Sequence, residues 1–223
     1  MTVELFEKII QQVSPLTDQV CLHLMGDPLV HPHLSQLIEI CAKYETRVFF
    51  VTNGVLLRDD KIATLLHPII RQINFSLHSF NDNYPDRDPS QYLEKIFNYT
   101  EIAFEKRPDL YINYRLWNLD EPRGLDEKNT SILSRIEKYY GLTIDKHIDV
   151  KSEKSIKIKN RLYLHYDTEF TWPALDLPII GTRGTCLGLK SHFGILADGT
   201  VVPCCLDKES GIPLGNVNDH DII

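Results

Sequence analysis

Apolar residues along the first 150 positions switch between a helical period and short continuous runs. Over residues 2–13, Val3, Phe6, Ile9, Ile10 and Val13 share one helical face, with Thr2 as N-cap. Residues 19–25 (QVCLHLM) predict a short buried strand. Residues 32–44 return to the helical period, with Leu34, Leu37, Ile38 and Cys41 on one stripe and Pro32 in the first turn. The run RVFFV at 47–51 predicts a strand, Asp59 opens a short helix ending near Pro68, and residues 69–77 (IIRQINFSL) predict the next strand. Asp88-Pro89 starts a long helix to about Lys106. A strand at 110–117 (LYINYRLW), a helix at 126–140 stopped by Gly141, and a strand at 144–150 (IDKHIDV) complete the series.

Strict alternation of helix and strand argues for parallel βα units with helices covering the sheet. The order opens on a helix with no strand before it, and five strands are too few for a closed eight-stranded barrel. The expected fold is therefore α/β, an open or partial barrel over residues 1–150. Beyond it, KSEKSIKIKN is basic and polar, RLYLHY alternates, and TEFTWPALDLP is extended, so residues 151–183 are expected to be a linker and crossing segment. Residues 184–223 form a separate C-terminal piece. Within it, residues 192–204 (HFGILADGTVVPC) predict two short strands around an Asp198-Gly199 turn.

Composition narrows the function classes. The chain has 223 residues, 43% of them apolar, enough for a substantial core. No apolar run reaches the length of a membrane helix, and MTVELFEKII lacks the layout of a signal peptide. A net charge of -7 argues against a surface that wraps nucleic acid. Five Cys disfavour a complete disulfide framework and point to a reducing, cytoplasmic compartment. Cys21 and Cys41 sit inside apolar patterns and are expected in the core. Cys186, Cys204 and Cys205 instead crowd a stretch rich in Gly and Asp.

Ligands of open α/β sheets sit beyond the carboxyl ends of the strands, so the strand exits carry the candidate chemistry. After the first strand comes Met25-Gly26-Asp27-Pro28, where Gly26 admits a ligand to the backbone and the Asp27 carboxylate can accept from an ammonium. After the second comes Thr52-Asn53-Gly54. A plain turn is the competing reading for both. Ser76 and His78 follow the third strand on one side of the chain, beside Ser79. In the fourth strand Tyr114, Leu116 and Asn118 share one face, and Asn113, Arg115 and Trp117 the other. Arg115 in a buried strand needs an anionic partner, either a ligand carboxylate or an acidic side chain such as Asp27. Several of the nine His lie near strand exits, which would suit imidazole ligation of a metal. His31 and His33 straddle a helix start without facing each other, so core or capping roles are favoured. Cys186 is followed by twelve residues, Gly199, four residues and Cys204. The turn can bring these two cysteines together for an iron–sulfur cluster or zinc, with incidental thiols as the alternative.

These motifs, in order, resemble the radical SAM superfamily, in its members with a C-terminal SPASM or twitch extension. LHLMGDPLVHPHLSQLIEICAKYETRVFFVTNGVLL is similar to the family's Gly-Gly-Glu-Pro strand exit, its next helix and its Thr-Asn-Gly exit. INFSLHSF resembles the following strand, and TCLGLKSHFGILADGTVVPCCLDKESGIPLGNV the opening of a SPASM extension. The resemblance implies a partial (β/α)6 barrel lacking its first strand, plus a small C-terminal β-hairpin extension. It implies S-adenosylmethionine beside a [4Fe-4S] cluster, reductive cleavage to a 5′-deoxyadenosyl radical, and hydrogen abstraction from a small-molecule or peptide substrate. A reductant such as flavodoxin or ferredoxin would supply the electron; neither nucleic acid nor membrane is an expected partner. By position, Gly26, Asp27 and Pro28 would hold the methionine amino group. Ser76 and Arg115 would meet its carboxylate or the ribose, with Thr52, Asn53, Gly54 and His78 completing the site. Cys186 and Cys204 would ligate an auxiliary cluster.

The chain departs from that pattern. It contains no Cys-x3-Cys-x2-Cys, Asp27 stands for the family's Glu, Met25 stands at a Gly position, and the later SPASM cysteines are missing. The expectation is a fragment truncated at both ends and inactive alone. The alternative is a cluster-free binding or scaffold protein on a degenerate barrel.

Overall fold

The computed structural model of the chain describes residues 1–169, 171–174, 176–179 and 181–222. Phe170, Leu175 and Ile180 of the expected linker, and Ile223, lie outside them. Helix α1 (Val3–Val13) is capped as its sequence predicts: Thr2 Oγ1 accepts from the Leu5 N–H at 3.2 Å, and Phe6, Ile9, Ile10 and Val13 are buried. Then follow β1 (Gln19–Cys21), α2 (Leu34–Lys43), β2 (Arg47–Thr52), α3 (Asp59–Leu65), β3 (Ile70–Ser76), α4 (His78–Asn83), α5 (Ser90–Lys106) and β4 (Tyr111–Leu119). A ribbon strand β5 (Arg123–Leu125), α6 (Thr130–Tyr140) and β6 (His147–Asp149) lead to β7 (Ser155–Lys159) and β8 (Leu162–Thr168).

The main sheet has six strands in the order β1-β2-β3-β4-β8-β7, all parallel except β7, which runs antiparallel to β8. The architecture is the expected open α/β half-barrel, with two corrections. The stretch at 144–150 is not the fifth parallel strand; its residues 147–149 pair antiparallel with β5 in a separate ribbon. The fifth parallel strand is β8, inside the stretch expected as a linker. Its Leu162, Leu164 and Tyr166 alternate into the core while Tyr163 and His165 face the other way. The basic run before it is β7, an edge strand, and lysines on an edge discourage pairing with another chain. Lys154 pairs with Asp167 at 2.9 Å and Lys159 with Glu101 at 3.2 Å.

Smaller differences have local causes. The first strand ends at Cys21 rather than residue 25, and Pro28–Val30 make a short 3-10 turn before α2. Cys21 is exposed at this sheet edge, not in the core; Cys41 is buried as expected. Helix α6 starts at Thr130 because Asp126 Oδ1 accepts from the Asn129 N–H and holds 126–129 as a turn. Gly141 ends it at φ +67°.

Alternation divides the sheet. Val48, Phe50, Ile73, Phe75, Ile112, Tyr114 and Leu116 are fully buried in the helix-covered core. The opposite, concave face carries rows set by register. One row is Val51–Asn74–Asn113–Tyr163 and the next, nearer the strand ends, is Ser76–Arg115–His165.

In the C-terminal piece, β9 (Gly194–Ile195), β10 (Thr200–Val202) and β11 (Gly215–Asn216) form a small antiparallel sheet. Gly199, at φ +93°, makes the predicted turn, and Asp198 Oδ1 accepts from the Thr200 N–H. This sheet rests on α1. Lys8 Nζ donates to the Val217 carbonyl, and Gln12 exchanges bonds with Asp221 and the Ile222 N–H. Among the described residues no helix is long and apolar enough to cross a membrane.

Candidate functional site

Asp27 organises the first two strand exits. Its Oδ1 accepts from the Leu29 N–H at 2.9 Å, and Oδ2 accepts from the Thr52 hydroxyl at 2.7 Å and the Asn53 N–H at 2.8 Å. Three donors already occupy the carboxylate that the sequence offered to an ammonium, so it acts first as a strut between two loops. The other members of these loops divide by exposure. Gly26, at φ +84°, has no atom within 4 Å of where a Cβ would stand, so ligand could approach its backbone. At Gly54, φ +75°, a Cβ would stand 2.9 Å from Ile96 and 3.1 Å from Phe75, so that glycine serves packing against α5. Thr52 is buried and its Oγ1 accepts from the Gly54 N–H; Asn53 Oδ1 accepts from the Val55 N–H, and its carbonyl takes the Tyr92 hydroxyl. Pro28 opens the 3-10 turn.

Arg115 stands at the centre of the concave face. Asp27 is not its partner, and among the described residues no carboxylate lies within ion-pair distance of it. Its guanidinium lies 4.1 Å from the Trp117 ring centre and 5.7 Å from that of Phe49. Because a guanidinium only donates, the Asn74 amide turns its oxygen toward it and accepts from Nε at 3.0 Å. Burial works against the charge on Arg115.

Three imidazoles surround this cation. His78 Nδ1 lies 3.1 Å from the Arg115 carbonyl oxygen and 3.3 Å from the Trp117 N–H, fastening α4 to β4; burial lowers its pKa. His23 packs edge-on against Phe49, its Nδ1 is buried without a partner, and burial followed by the Arg115 charge lowers it to about 4. His165 accepts at Nδ1 from Trp117 Nε1–H at 2.9 Å; burial, then Arg115, lowers its pKa. Ser76 sits beside Arg115 in register, and its carbonyl accepts from the Ser79 hydroxyl. Sequence reasoning missed His165 because its strand was read as a linker; the alternation of RLYLHY was the available signal.

The cysteines gather at the C-terminal piece. A Cβ on Gly188 would stand 3.2 Å from Cys186 Sγ and 3.3 Å from Cys204 Cβ, so the two cysteines lie close together beside that glycine. The Gly188 N–H donates to Cys186 Sγ at 3.2 Å. Among the described residues no three His, Cys, Asp or Glu side chains converge as a group able to hold a metal ion. Although Cys21 is exposed at the sheet edge, the protein around its sulfur desolvates the thiol and raises it to about 11, with Cys205 and Arg115 within electrostatic reach of it.

An open, mostly parallel sheet with its polar chemistry at the strand ends defines the class, and comparison with known proteins names it. The model of the radical SAM superfamily matches residues 1–121, and the chain belongs to that superfamily. The SPASM iron–sulfur cluster-binding domain matches residues 186–223. Among solved structures, Streptococcus suis SuiB is similar over 100% of this chain and 58% of its own, at TM-score 0.61 and 14% identity. SuiB bound to its precursor peptide SuiA gives 0.61 at 15% identity, with 57% of that chain covered. BtrN in an open conformation is similar over 100% of this chain and 65% of its own, at 0.51 and 15% identity. The chain thus spans less than two thirds of the length of these structures. No curated protein sequence matches it. The two domains imply S-adenosylmethionine and iron–sulfur clusters, and enzyme activity is a property of the superfamily.

Proposed function

We propose that the concave face of this sheet is the S-adenosylmethionine and substrate face of a peptide-modifying radical SAM enzyme. The observation that carries this reading is Arg115, a guanidinium at the ends of parallel strands with no carboxylate partner among the described residues, near strand exits shaped by glycine. An anionic ligand group supplies what the fold leaves out. In this reading Arg115 and Ser76 hold the methionine carboxylate or ribose. The Gly26-Asp27-Pro28 turn presents backbone to the amino group while the Asp27 carboxylate braces Thr52 and Asn53. Gly54 lets α5 close against the second exit, and His78 fixes the exit of β4.

S-adenosylmethionine, with a reduced cluster, supplies hydrogen-atom abstraction in this superfamily. This chain does not itself provide the cluster triplet, so no step is derived through that cluster. Cys186 and Cys204 are two thiolates of an auxiliary site, short of the four a cluster normally takes. A peptide substrate is favoured by the likeness to SuiB, whose structure was solved with its precursor peptide. An electron donor of the flavodoxin or ferredoxin kind would complete the system.

Calorimetry with S-adenosylmethionine tests the reading. Arg115→Ala should weaken binding by about 1.5–3 kcal/mol, the worth of a charge-assisted bond; equal affinity in both proteins rejects the assignment. Reconstituted anaerobically with iron and sulfide, the chain alone should release no 5′-deoxyadenosine above a protein-free control. A second reading is a cluster-free binding protein on the same sheet, since no three metal-ligating side chains converge among the described residues. It predicts equal iron content in the wild type and in Cys186→Ala/Cys204→Ala after reconstitution.

A further inference from the structure

Trp117 and His165 stand on adjacent strands, separated by 48 positions in the chain. An indole nitrogen only donates, so its bond at 2.9 Å requires a lone pair on His165 Nδ1. The ring proton is thereby placed on Nε2, and among the described residues no acceptor engages that atom. His165 pairs in register with Arg115 across β4 and β8, and the Arg115 guanidinium lies over the same Trp117 ring at 4.1 Å. One indole therefore supports a cation on its face and orients an imidazole from its edge.

We propose that His165 Nε2–H, its tautomer set by Trp117, is the second donor beside Arg115 in a clamp for a ligand carboxylate. This rests on the concave face being the ligand face, and it gives that face a substrate or cofactor chemistry: a planar anion with two oxygens. Trp117 is a positioning residue, acting through His165. Burial and the Arg115 charge favour the neutral ring, leaving His165 as a donor that adds no further positive charge.

Two-bond proton–nitrogen NMR on the 15N-labelled chain reads the tautomer directly, with His165→Gln providing the assignment. The wild type should show the Nε2–H form alone, and Trp117→Phe should let the Nδ1–H form appear as a minor population. Acetate titrated into the wild type should shift the Nε2 resonance saturably, and Arg115→Gln should weaken that titration about tenfold or more. S-adenosylmethionine and 5′-methylthioadenosine, which lacks the amino-acid carboxylate, then separate the sources. A shift with the first alone assigns the clamp to the cofactor; a shift with acetate but neither nucleoside assigns it to the substrate. An Nδ1–H tautomer in the wild type, or a His165 signal that acetate leaves unmoved, overturns the proposal. Acetate binding without any S-adenosylmethionine binding sinks the cofactor reading while sustaining the clamp.

Discussion

The two faces of the six-stranded sheet are made from alternate residues of the same strands, yet they do opposite work. On the covered face Phe50, Ile73 and Leu116 are fully buried and touch apolar neighbours. On the concave face Asn74, Arg115 and His165 are held by hydrogen bonds and ring contacts. Burial of the first set stabilises the fold at about 25 cal/mol per Å². The second set gains little from burial, and Arg115 resists it. A residue retained against its own desolvation points to a ligand more directly than any turn motif does.

The sharpest way to break this comparison is to exchange effects between the faces. Phe50→Ala should cost about 3–5 kcal/mol in urea denaturation through cavity formation; a loss under 1 kcal/mol would mean that the covered face is not the core. Arg115→Met should behave in the opposite way. Its unfolding free energy should be unchanged or slightly raised, since a partly buried charge without a carboxylate partner is removed, while acetate and S-adenosylmethionine binding are lost.

Acidity probes the concave face as a whole. His23 titrates near pH 4 when folded and about 6.5 when unfolded, so between those values the unfolded chain holds the extra proton. Its contribution to stability is therefore complete above about pH 6.5 and declines toward pH 4, by about 1–3 kcal/mol. The lowered pKa values of His78 and His165 act in the same sense. Denaturation at pH 5 and pH 7 should show this slope, and His23→Gln should flatten it; an unchanged slope would remove His23 from the buried set. The smallest effect belongs to the strut: Asp27→Asn should cost about 1–2 kcal/mol, because an amide nitrogen cannot accept from all three donors. Equal melting of both proteins would show the loops to be held otherwise.

How much of this was legible follows from the range of each signal. The face of α1, the two-face division of β4 and the turn at Gly199 are local patterns, and each lies where period or turn chemistry puts it. The run at 144–150 misled because a short apolar stretch can satisfy a ribbon as well as a sheet. Residues 155–168 misled in the other direction, since edge lysines give a strand the composition of a linker. Once β8 is displaced in the reading, His165 cannot meet Trp117, and Asp27 stays open beside a ligand carboxylate as a partner for Arg115. Fold was written in neighbours along the chain; the site depended on which strands lie side by side.

The latch between the C-terminal sheet and α1 also bears on the order of folding. Lys8 and Val217 are 209 residues apart in the chain, so their contact carries the entropy of closing nearly the whole molecule into a loop. A contact of that range is expected to form late, after the local βα units have assembled. Interactions absent from the transition state slow escape rather than arrival. The C-terminal sheet is thus a brake on unfolding: loosening it shortens the lifetime of the folded chain and leaves its rate of formation almost untouched.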